Sequence, residues 1–112
     1  MKNQQKTPPK GLSPEAQGWW KAIQSEYEVI DPGGLLILAS ACEALDRMRQ
    51  AQRKLKKEGL TWVDRFGQRK AHPAAAIERD SRTAMLSALK QLNLDLEPLE
   101  QRPGRPAGRI GG

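Results

Sequence analysis

The sequence predicts an all-α fold of three helices, with one small β-hairpin between the second and third helices. Apolar residues recur at three- and four-residue spacing through most of the chain, and residues typical of helix starts precede three such stretches. After Gly59 this helical period gives way to a short alternating pattern. We therefore expect helices at about 13–30, 32–58 and 73–92, and the hairpin at about 60–70.

The first helix has a well-marked beginning. Ser13 can act as the N-cap, Pro14 occupies the first helical position, and Glu15 places an acid beside the positive end of the helix dipole. The adjacent tryptophans at 19 and 20 could stack on nucleobases, although packing against the second helix is the favoured interpretation. The residues predicted to form the buried stripe are Ala16, Trp20, Ile23, Tyr27 and Ile30.

The second helix is the element around which the chain is organised. Asp31 supplies an N-cap, Pro32 the first position, and Gly59 the positive φ that ends a helix. At roughly 1.5 Å per residue this helix is about 40 Å long. Gly33 and Gly34 weaken its first turn. Its apolar stripe is predicted to comprise Leu38, Ala41, Leu45, Met48, Gln52 and Leu55.

The start of this helix is apolar on every side. Four consecutive apolar residues point in all directions, and such a helix must be covered all round. Leu, Ile, Val and Phe make up only 21 of the 112 residues, which is little for a stable single-chain core. We therefore expect a homo-oligomer. The predicted interface consists of Leu35, Leu36, Ile37 and Leu38.

The hairpin and the third helix follow. Gly67 stands where the hairpin turn needs positive φ, and Trp62 and Phe66 supply an apolar side. His72 is the only histidine, and we interpret it as a helix-start residue rather than a catalyst. Asn93 can end the third helix in a left-handed conformation. The predicted buried side of this helix comprises Ile77, Ala84, Met85, Ala88, Leu89 and Leu92.

The net charge of +6 is carried by the two ends of the chain. Residues 13–100 hold equal numbers of basic and acidic residues, whereas the flanking segments contain bases and no acid. Basic arms on a neutral body indicate a polyanionic partner, most simply nucleic acid, or else they only keep the protein in solution. The candidate residues are Lys2, Lys6 and Lys10 at the N-terminus and Arg102, Arg105 and Arg109 at the C-terminus.

A second basic group lies at the C-terminal end of the second helix and comprises Arg49, Arg53, Lys56 and Lys57. These residues could line a DNA path, or they could form a solvated face paired with acids of a neighbouring copy. We favour DNA by a small margin only, because residues 13–100 are neutral overall and their charges can satisfy one another.

The chain divides into three parts. We expect residues 1–12 to be a flexible basic arm, 13–97 a single helical oligomerisation domain, and 98–112 a disordered tail rich in proline, glycine and arginine. The tail segment 102–106 resembles a degenerate AT-hook, which binds the narrow minor groove of A·T-rich DNA. A plain disordered basic tail is the simpler interpretation.

The sequence gives no sign of an enzyme. It has one cysteine, Cys42, which we expect to be a small buried hydrophobe, and it lacks phosphate-binding loops and metal-ligand spacings. We expect no cofactor and no metal. Its apolar runs are too short for a membrane span, and no secretory signal begins the chain, so we expect a cytosolic protein.

The segment 58–94 carries a resemblance that goes further. A long helix with a basic end closes on Glu58-Gly59-Leu60, a hairpin ends in Lys70-Ala71-His72-Pro73-Ala74, and a helix ends in a Leu-Asn-Leu turn. Together with LSPEAQGWW upstream, this pattern resembles the small subunit of phage terminases. The resemblance implies a ring that recognises double-stranded viral DNA in the bacterial host and presents it to the terminase large subunit. It also implies that the ATPase and nuclease lie in that large subunit, whose docking region here would fall within 94–112.

Two other classes of protein stay open. One is a small basic transcriptional regulator that binds duplex DNA as a dimer, although the second helix is far longer than a recognition helix. The other is a structural RNA-binding protein, although no patch of exposed aromatic residues for stacking bases is evident.

Overall fold

The structure is a computed structural model that describes residues 6–94. It confirms the predicted architecture of three helices with a two-stranded antiparallel hairpin between the second and third helices. Along the chain the elements are α1 (Pro14–Tyr27), α2 (Pro32–Glu58), β1 (Thr61–Val63), β2 (Arg69–Ala71) and α3 (Pro73–Gln91).

Each helix begins with a capping side chain followed by proline, as the sequence predicts. The Oγ atom of Ser13 accepts a hydrogen bond from the N–H of Ala16 at 3.1 Å, and Oδ2 of Asp31 accepts one from Gly34 at 2.9 Å. These bonds satisfy N–H groups that have no partner within the helix. At α3 the cap is the ring of His72.

The expectation that α1 reaches residue 30 is wrong. The helix ends at Tyr27, because Glu28 adopts a left-handed conformation with φ 53° and ψ 47°. This residue turns the chain toward Asp31, which caps α2. Ile30 therefore leaves the predicted apolar stripe and is exposed, whereas Val29 is buried.

The bounds of α2 agree with the prediction. Gly59 ends the helix with φ +90° and ψ 166°, so the predicted positive φ is present but the backbone is extended rather than left-handed helical. The chain consequently passes straight into β1. Asn93 has φ 60°, which confirms its predicted role after α3.

Two polar contacts show how α1 and α3 run relative to α2. The backbone N–H of Ser13 donates to the carboxylate of Asp46 at 2.8 Å, which places the start of α1 beside the middle of α2. The side-chain amide of Gln52 donates to Oε2 of Glu78 at 3.1 Å, which joins the later half of α2 to the early part of α3. Both α1 and α3 therefore run antiparallel to α2.

The core lies where α1 crosses the first half of α2. Leu38 is fully buried, and Cys42 is buried, which confirms the prediction that its thiol is a small core group. The predicted stripe on α2 faces inward along its length. The buried residues of this cluster are Leu12, Ala16, Trp20, Leu38, Cys42, Leu45 and Met48.

The prediction for the buried side of α3 is only partly correct. Ile77 is 48% exposed and Ala84 is also exposed. Ala88 is buried as predicted, and Ala74 and Ser81, which were not predicted, are buried with it at seven-residue spacing. The helix packs against α2, which also buries alanines, and small side chains let two helices approach closely. The small residues of α3, rather than its largest apolar ones, therefore set which side of the helix faces α2.

Residues 6–12, expected as part of a flexible arm, lie against α1. The N–H of Lys6 donates to Oε1 of Gln24 at 2.7 Å, and its carbonyl accepts a hydrogen bond from Nε1 of Trp20 at 2.9 Å. Leu12 belongs to the core. Residues 1–5 and the C-terminal tail, with its AT-hook-like segment 102–106, lie outside the described residues.

The hairpin is tightly turned and fully exposed. Oδ1 of Asp64 accepts hydrogen bonds from the N–H groups of Phe66 and Gln68, each at 2.9 Å. Gly67 has φ +80°, as predicted for this turn. The paired residues are Thr61 with Ala71, Trp62 with Lys70 and Val63 with Arg69, and all six are exposed.

Candidate nucleic-acid interface

Charge is segregated between the two ends of the folded chain. Residues 22–46 contain five acidic residues and no basic residue, whereas residues 53–70 contain seven basic residues and two acidic ones. Because α1 runs antiparallel to α2, the first range forms one end of the molecule and the second range forms the other. We call these the turn end (22–46) and the hairpin end (53–70). The neutral sum over residues 13–100 therefore conceals a strongly polar body.

Two of the seven cations at the hairpin end are paired locally. Nζ of Lys54 lies 3.5 Å from Oε2 of Glu58, and Nζ of Lys70 lies 3.3 Å from Oδ2 of Asp64. Within residues 6–94 the other five make no ion pair, and all five are exposed. They are Arg53, Lys56, Lys57, Arg65 and Arg69.

Three of these five cations lie on rigid helix. The ion pair between Arg49 and Glu15 marks the level at which α1 begins, so α1 does not cover the later turns of α2. Arg53, Lys56 and Lys57 occupy this uncovered part and are exposed. Their helical backbone holds them in one region, which suits contact with successive phosphates.

The hairpin adds cations that the sequence analysis missed. The guanidinium carbon of Arg65 lies 5.1 Å from the ring centroid of Phe66, and Nη1 of Arg69 donates to Oγ1 of Thr61 at 3.0 Å. Hydrogen bonds from the backbone of Gln68 lower the pKa of Asp64, which keeps this turn carboxylate ionised. The excess of bases over residues 53–70 in the sequence is the signal that indicates these two cations.

Arg49 occupies a different position from the other candidates on α2. Its Nη2 lies 2.9 Å from Oε2 of Glu15, and its Nε lies 3.0 Å from Oε1 of the same carboxylate. Nη1 also donates to Gln52. The hydrogen bond with Glu15 raises the pKa of Arg49 above its ordinary value. This arginine joins α1 to α2, and its positive charge is already paired with the Glu15 carboxylate.

Of the predicted cations at the chain ends, the two that the structure describes are not brought together with the hairpin end. Lys6 and Lys10 are exposed, but the backbone of Lys6 contacts Trp20 and Gln24 in the later part of α1. The remaining candidates lie outside the described residues. These are Lys2, Arg102, Arg105 and Arg109.

The four predicted interface residues differ in exposure. Leu36 is 73% exposed, whereas Leu38 is buried in the core of its own chain and offers no surface. Leu35 and Ile37 are half-buried. The apolar surface available at this place is therefore centred on Leu36.

Within the part of the chain that the structure describes, little supports a metal site, a cysteine or histidine catalyst or a membrane-spanning helix. No group of three or more His, Cys, Asp or Glu residues in 6–94 could hold a metal ion. Burial raises the pKa of Cys42 to about 11, which makes its thiol a poor nucleophile. His72 serves as the cap of α3. None of the helices in this range is long and apolar enough to cross a membrane.

The fold and the charge distribution define a small all-α protein with a basic end. The chain belongs to the phage terminase small subunit family, since it matches the family described as "Phage terminase, small subunit" over residues 16–98. This range includes α2, the hairpin, α3 and all of α1 except its first two residues. Comparison with curated proteins finds no match, and comparison with solved structures finds none. Membership of the family gives the chain a role in phage DNA packaging.

Proposed function

We propose that this chain is the non-catalytic DNA-binding subunit of a phage terminase, which forms a ring and presents double-stranded viral DNA to the large subunit. The observation that supports DNA binding best is the set of five exposed cations at the hairpin end, on α2 and on the hairpin, that make no ion pair within residues 6–94. Such a set attracts phosphate without specifying sequence.

The self-association part of the proposal follows from unpartnered apolar surface. Nine large apolar residues within 6–94 are exposed, among them Leu36 at 73%. A small chain with so much apolar surface gains stability by association with copies of itself. Many copies in one ring would also repeat the basic end around the assembly, which multiplies the phosphate contacts available to one DNA.

DNA binding is tested by a salt titration with matched variants. Replacing Arg53, Lys56 and Lys57 with Ser should weaken binding to duplex DNA and flatten the dependence of log K on log salt, by about 0.9 for each lost phosphate contact. The control is the exposed set Lys21, Arg47 and Lys90 changed to Ser, which removes the same charge elsewhere. Equal effects of the two sets would mean that net charge alone governs binding.

Assembly is tested by native mass spectrometry of the unmodified protein at micromolar concentration. A closed oligomer of more than two copies is expected, and Leu36→Asp should reduce it, because a carboxylate would enter an apolar contact. A stable monomer contradicts the proposal. A stable dimer would favour the alternative of a dimeric transcriptional regulator.

A further inference from the structure

An apolar groove lies at the turn end, where α1, the first half of α2 and the last part of α3 meet. Its volume is about 550 Å³, which is within the range of sites that bind ligands or partner side chains. Most of its wall is aliphatic or aromatic, and Glu26 and Arg49 stand among the lining residues. The apolar lining includes Trp19, Ile23, Leu38, Leu45, Met85 and Leu89.

The opposite end of the molecule carries an apolar projection. Leu60, Trp62, Val63 and Phe66 of the hairpin are 68%, 44%, 53% and 74% exposed. A two-stranded hairpin is only marginally stable by itself, and it normally leans on another surface. Because all six strand residues are exposed, this hairpin does not lean on the helices of its own chain.

A chain cannot place this hairpin in its own groove. The groove contacts α2 between Leu38 and Arg49, whereas the hairpin starts only after Glu58. At about 1.5 Å per helical residue, the base of the hairpin is about 14 Å beyond the nearest of these residues and about 30 Å beyond the farthest. The bond between His72 and Glu58 fixes that base at the end of α2.

The two surfaces are complementary in charge as well as in polarity. Arg65 and Arg69 of the hairpin make no ion pair within residues 6–94. Most residues that line the groove lie within 22–46, whose charged residues are all acidic, and Glu26 forms part of its wall. Arg49 also lines the groove, but Glu15 of its own chain already pairs with it. Complementary charge of this kind favours one orientation of docking and raises the association rate.

We propose that the hairpin of one copy docks in the groove of the next copy, with Trp62 and Phe66 as the apolar anchors and Arg65 and Arg69 beside the acidic wall. The contact joins two different surfaces, so it is head-to-tail, and repetition of such a contact closes into a ring when the rotation permits. The inference rests on the ring assembly of the proposed function and identifies one contact within that ring, separate from the exposed surface at Leu36. Arg53, Lys56 and Lys57 stay outside this contact and remain available to DNA.

The competing candidate for the groove is the segment 95–112 of the same chain, because Leu94, the residue that precedes it, forms part of the groove wall. Its first residues include Leu96 and Leu99. The hairpin is favoured because its exposed apolar residues project on a two-stranded element and because its two arginines are opposite in charge to Glu26 of the groove. The segment 95–100 contains three acids and no base.

Cross-linking between mixed copies tests the proposal. In a Cys42→Ala background, one protein carries Ala22→Cys at the groove, and the other carries Phe66→Cys in the hairpin; both positions are exposed. A short bifunctional maleimide should join the two proteins, and peptide mapping should identify the link between positions 22 and 66. Arg47→Cys in place of Ala22→Cys should give several-fold less product, because Arg47 is exposed but does not line the groove.

A charge exchange gives a second readout that does not need cross-linking. Glu26→Arg should reduce the fraction of oligomer in native mass spectra, and the pair Arg65→Glu and Arg69→Glu should do the same. Combining all three changes should restore the oligomer at least in part, because opposite charges again face each other. Failure of the combination to exceed either parent variant would count against the docking.

The outcomes separate this inference from the proposed function. A ring in native mass spectra without the 22–66 link overturns the docking and leaves the ring-forming function standing. A monomer overturns both. A link that appears only after removal of residues 95–112 means that the chain's own tail occupies the groove, which also overturns the docking. An equal or stronger link in the truncated protein supports it.

Discussion

The Nε2 atom of His72 lies 2.7 Å from Oε1 of Glu58, so the cap of α3 is bonded to the last residue of α2. The other ring nitrogen, Nδ1, accepts the N–H of Ala74 at 3.0 Å. A neutral imidazole has one donor and one acceptor, so Nε2 carries the hydrogen and donates it to Glu58. One side chain thus starts a helix and closes the base of the hairpin.

This double role predicts a graded response to substitution at position 72. His72→Ala removes both bonds and should lower the free energy of unfolding by about 1 kcal/mol or more, the usual cost of a lost N-cap. His72→Asn keeps a side chain that can cap α3 but cannot reach Glu58 in the same way, so it should lose less. Urea unfolding followed by tryptophan fluorescence measures both. Wild-type stability in His72→Ala would show that the cap is dispensable.

The contact between His72 and Glu58 also predicts that the folded chain loses stability in acid. The hydrogen bond from His72 lowers the pKa of Glu58 below its ordinary value of 4.5, with help from Lys54. A carboxylate whose pKa is lower in the folded chain contributes stability above its unfolded pKa, and this contribution is lost as pH falls through the folded pKa. Stability should therefore drop below about pH 4.5. Glu58→Gln should make thermal unfolding less dependent on pH between about 5 and 3.

Glu78 allows the same pH experiment to be done at a second, separate contact. Its pKa is also lowered, chiefly by the hydrogen bond from Gln52 and then by Arg82. Glu78→Gln should flatten the acid side of the stability curve as well, but through the contact between α2 and α3 rather than through the hairpin base. An acid dependence that neither substitution changes would mean that other carboxylates control it.

The two glycines at the start of α2 should respond in opposite directions to alanine. A Cβ atom added at Gly34 would lie 2.8 Å from Oδ1 of Asp31 and 2.9 Å from Cγ1 of Val29, both closer than such atoms can approach. Gly34→Ala should therefore cost roughly 1–3 kcal/mol. At Gly33 the nearest atom is 3.7 Å away, so Gly33→Ala should stabilise the helix by up to about 1 kcal/mol. Thermal unfolding of the two variants decides this, and a stabilised Gly34→Ala would contradict it.

Two arginines one helical turn apart on α2 should separate stability from DNA binding. Arg49 holds Glu15 of α1, so Arg49→Gln should lower the melting temperature and leave DNA affinity nearly unchanged. Arg53 is exposed and makes no ion pair within residues 6–94, so Arg53→Gln should weaken DNA binding and leave the melting temperature unchanged. Both variants lose one charge, and a similar loss of affinity in both would show that Arg49 also contacts DNA.

The caps of the helices could be predicted from the sequence because each depends on neighbouring residues only. Ser13, Asp31 and His72 each precede a proline, and their side chains act within three residues. The turn at Gly67 is local in the same way. These features therefore agree with the structure.

Features that depend on how distant segments meet could not be predicted in this way. The buried side of α3 follows the close contact of Ala74 and Ser81 with α2, and not the positions of its largest apolar residues. The pairing of Arg49 depends on where α1 crosses α2. The two charged ends appear only once the helices are antiparallel, since a sum over the sequence cancels them.

The last prediction concerns the chain ends. Lys2, Arg102, Arg105 and Arg109 carry charge without any neighbouring acid within residues 1–5 or 101–112. Deleting those two segments should weaken binding to duplex DNA and lower the salt slope, because each lost phosphate contact removes about 0.9 from it. The deletion should stop at residue 5, since Leu12 belongs to the core and Lys6 is bonded to α1.

A salt titration beside the full chain and beside the triple variant of Arg53, Lys56 and Lys57 ranks the two sources of affinity. If the deletion leaves the slope unchanged while the triple variant flattens it, DNA is bound by the hairpin end alone, and an AT-hook role for Arg105 is wrong.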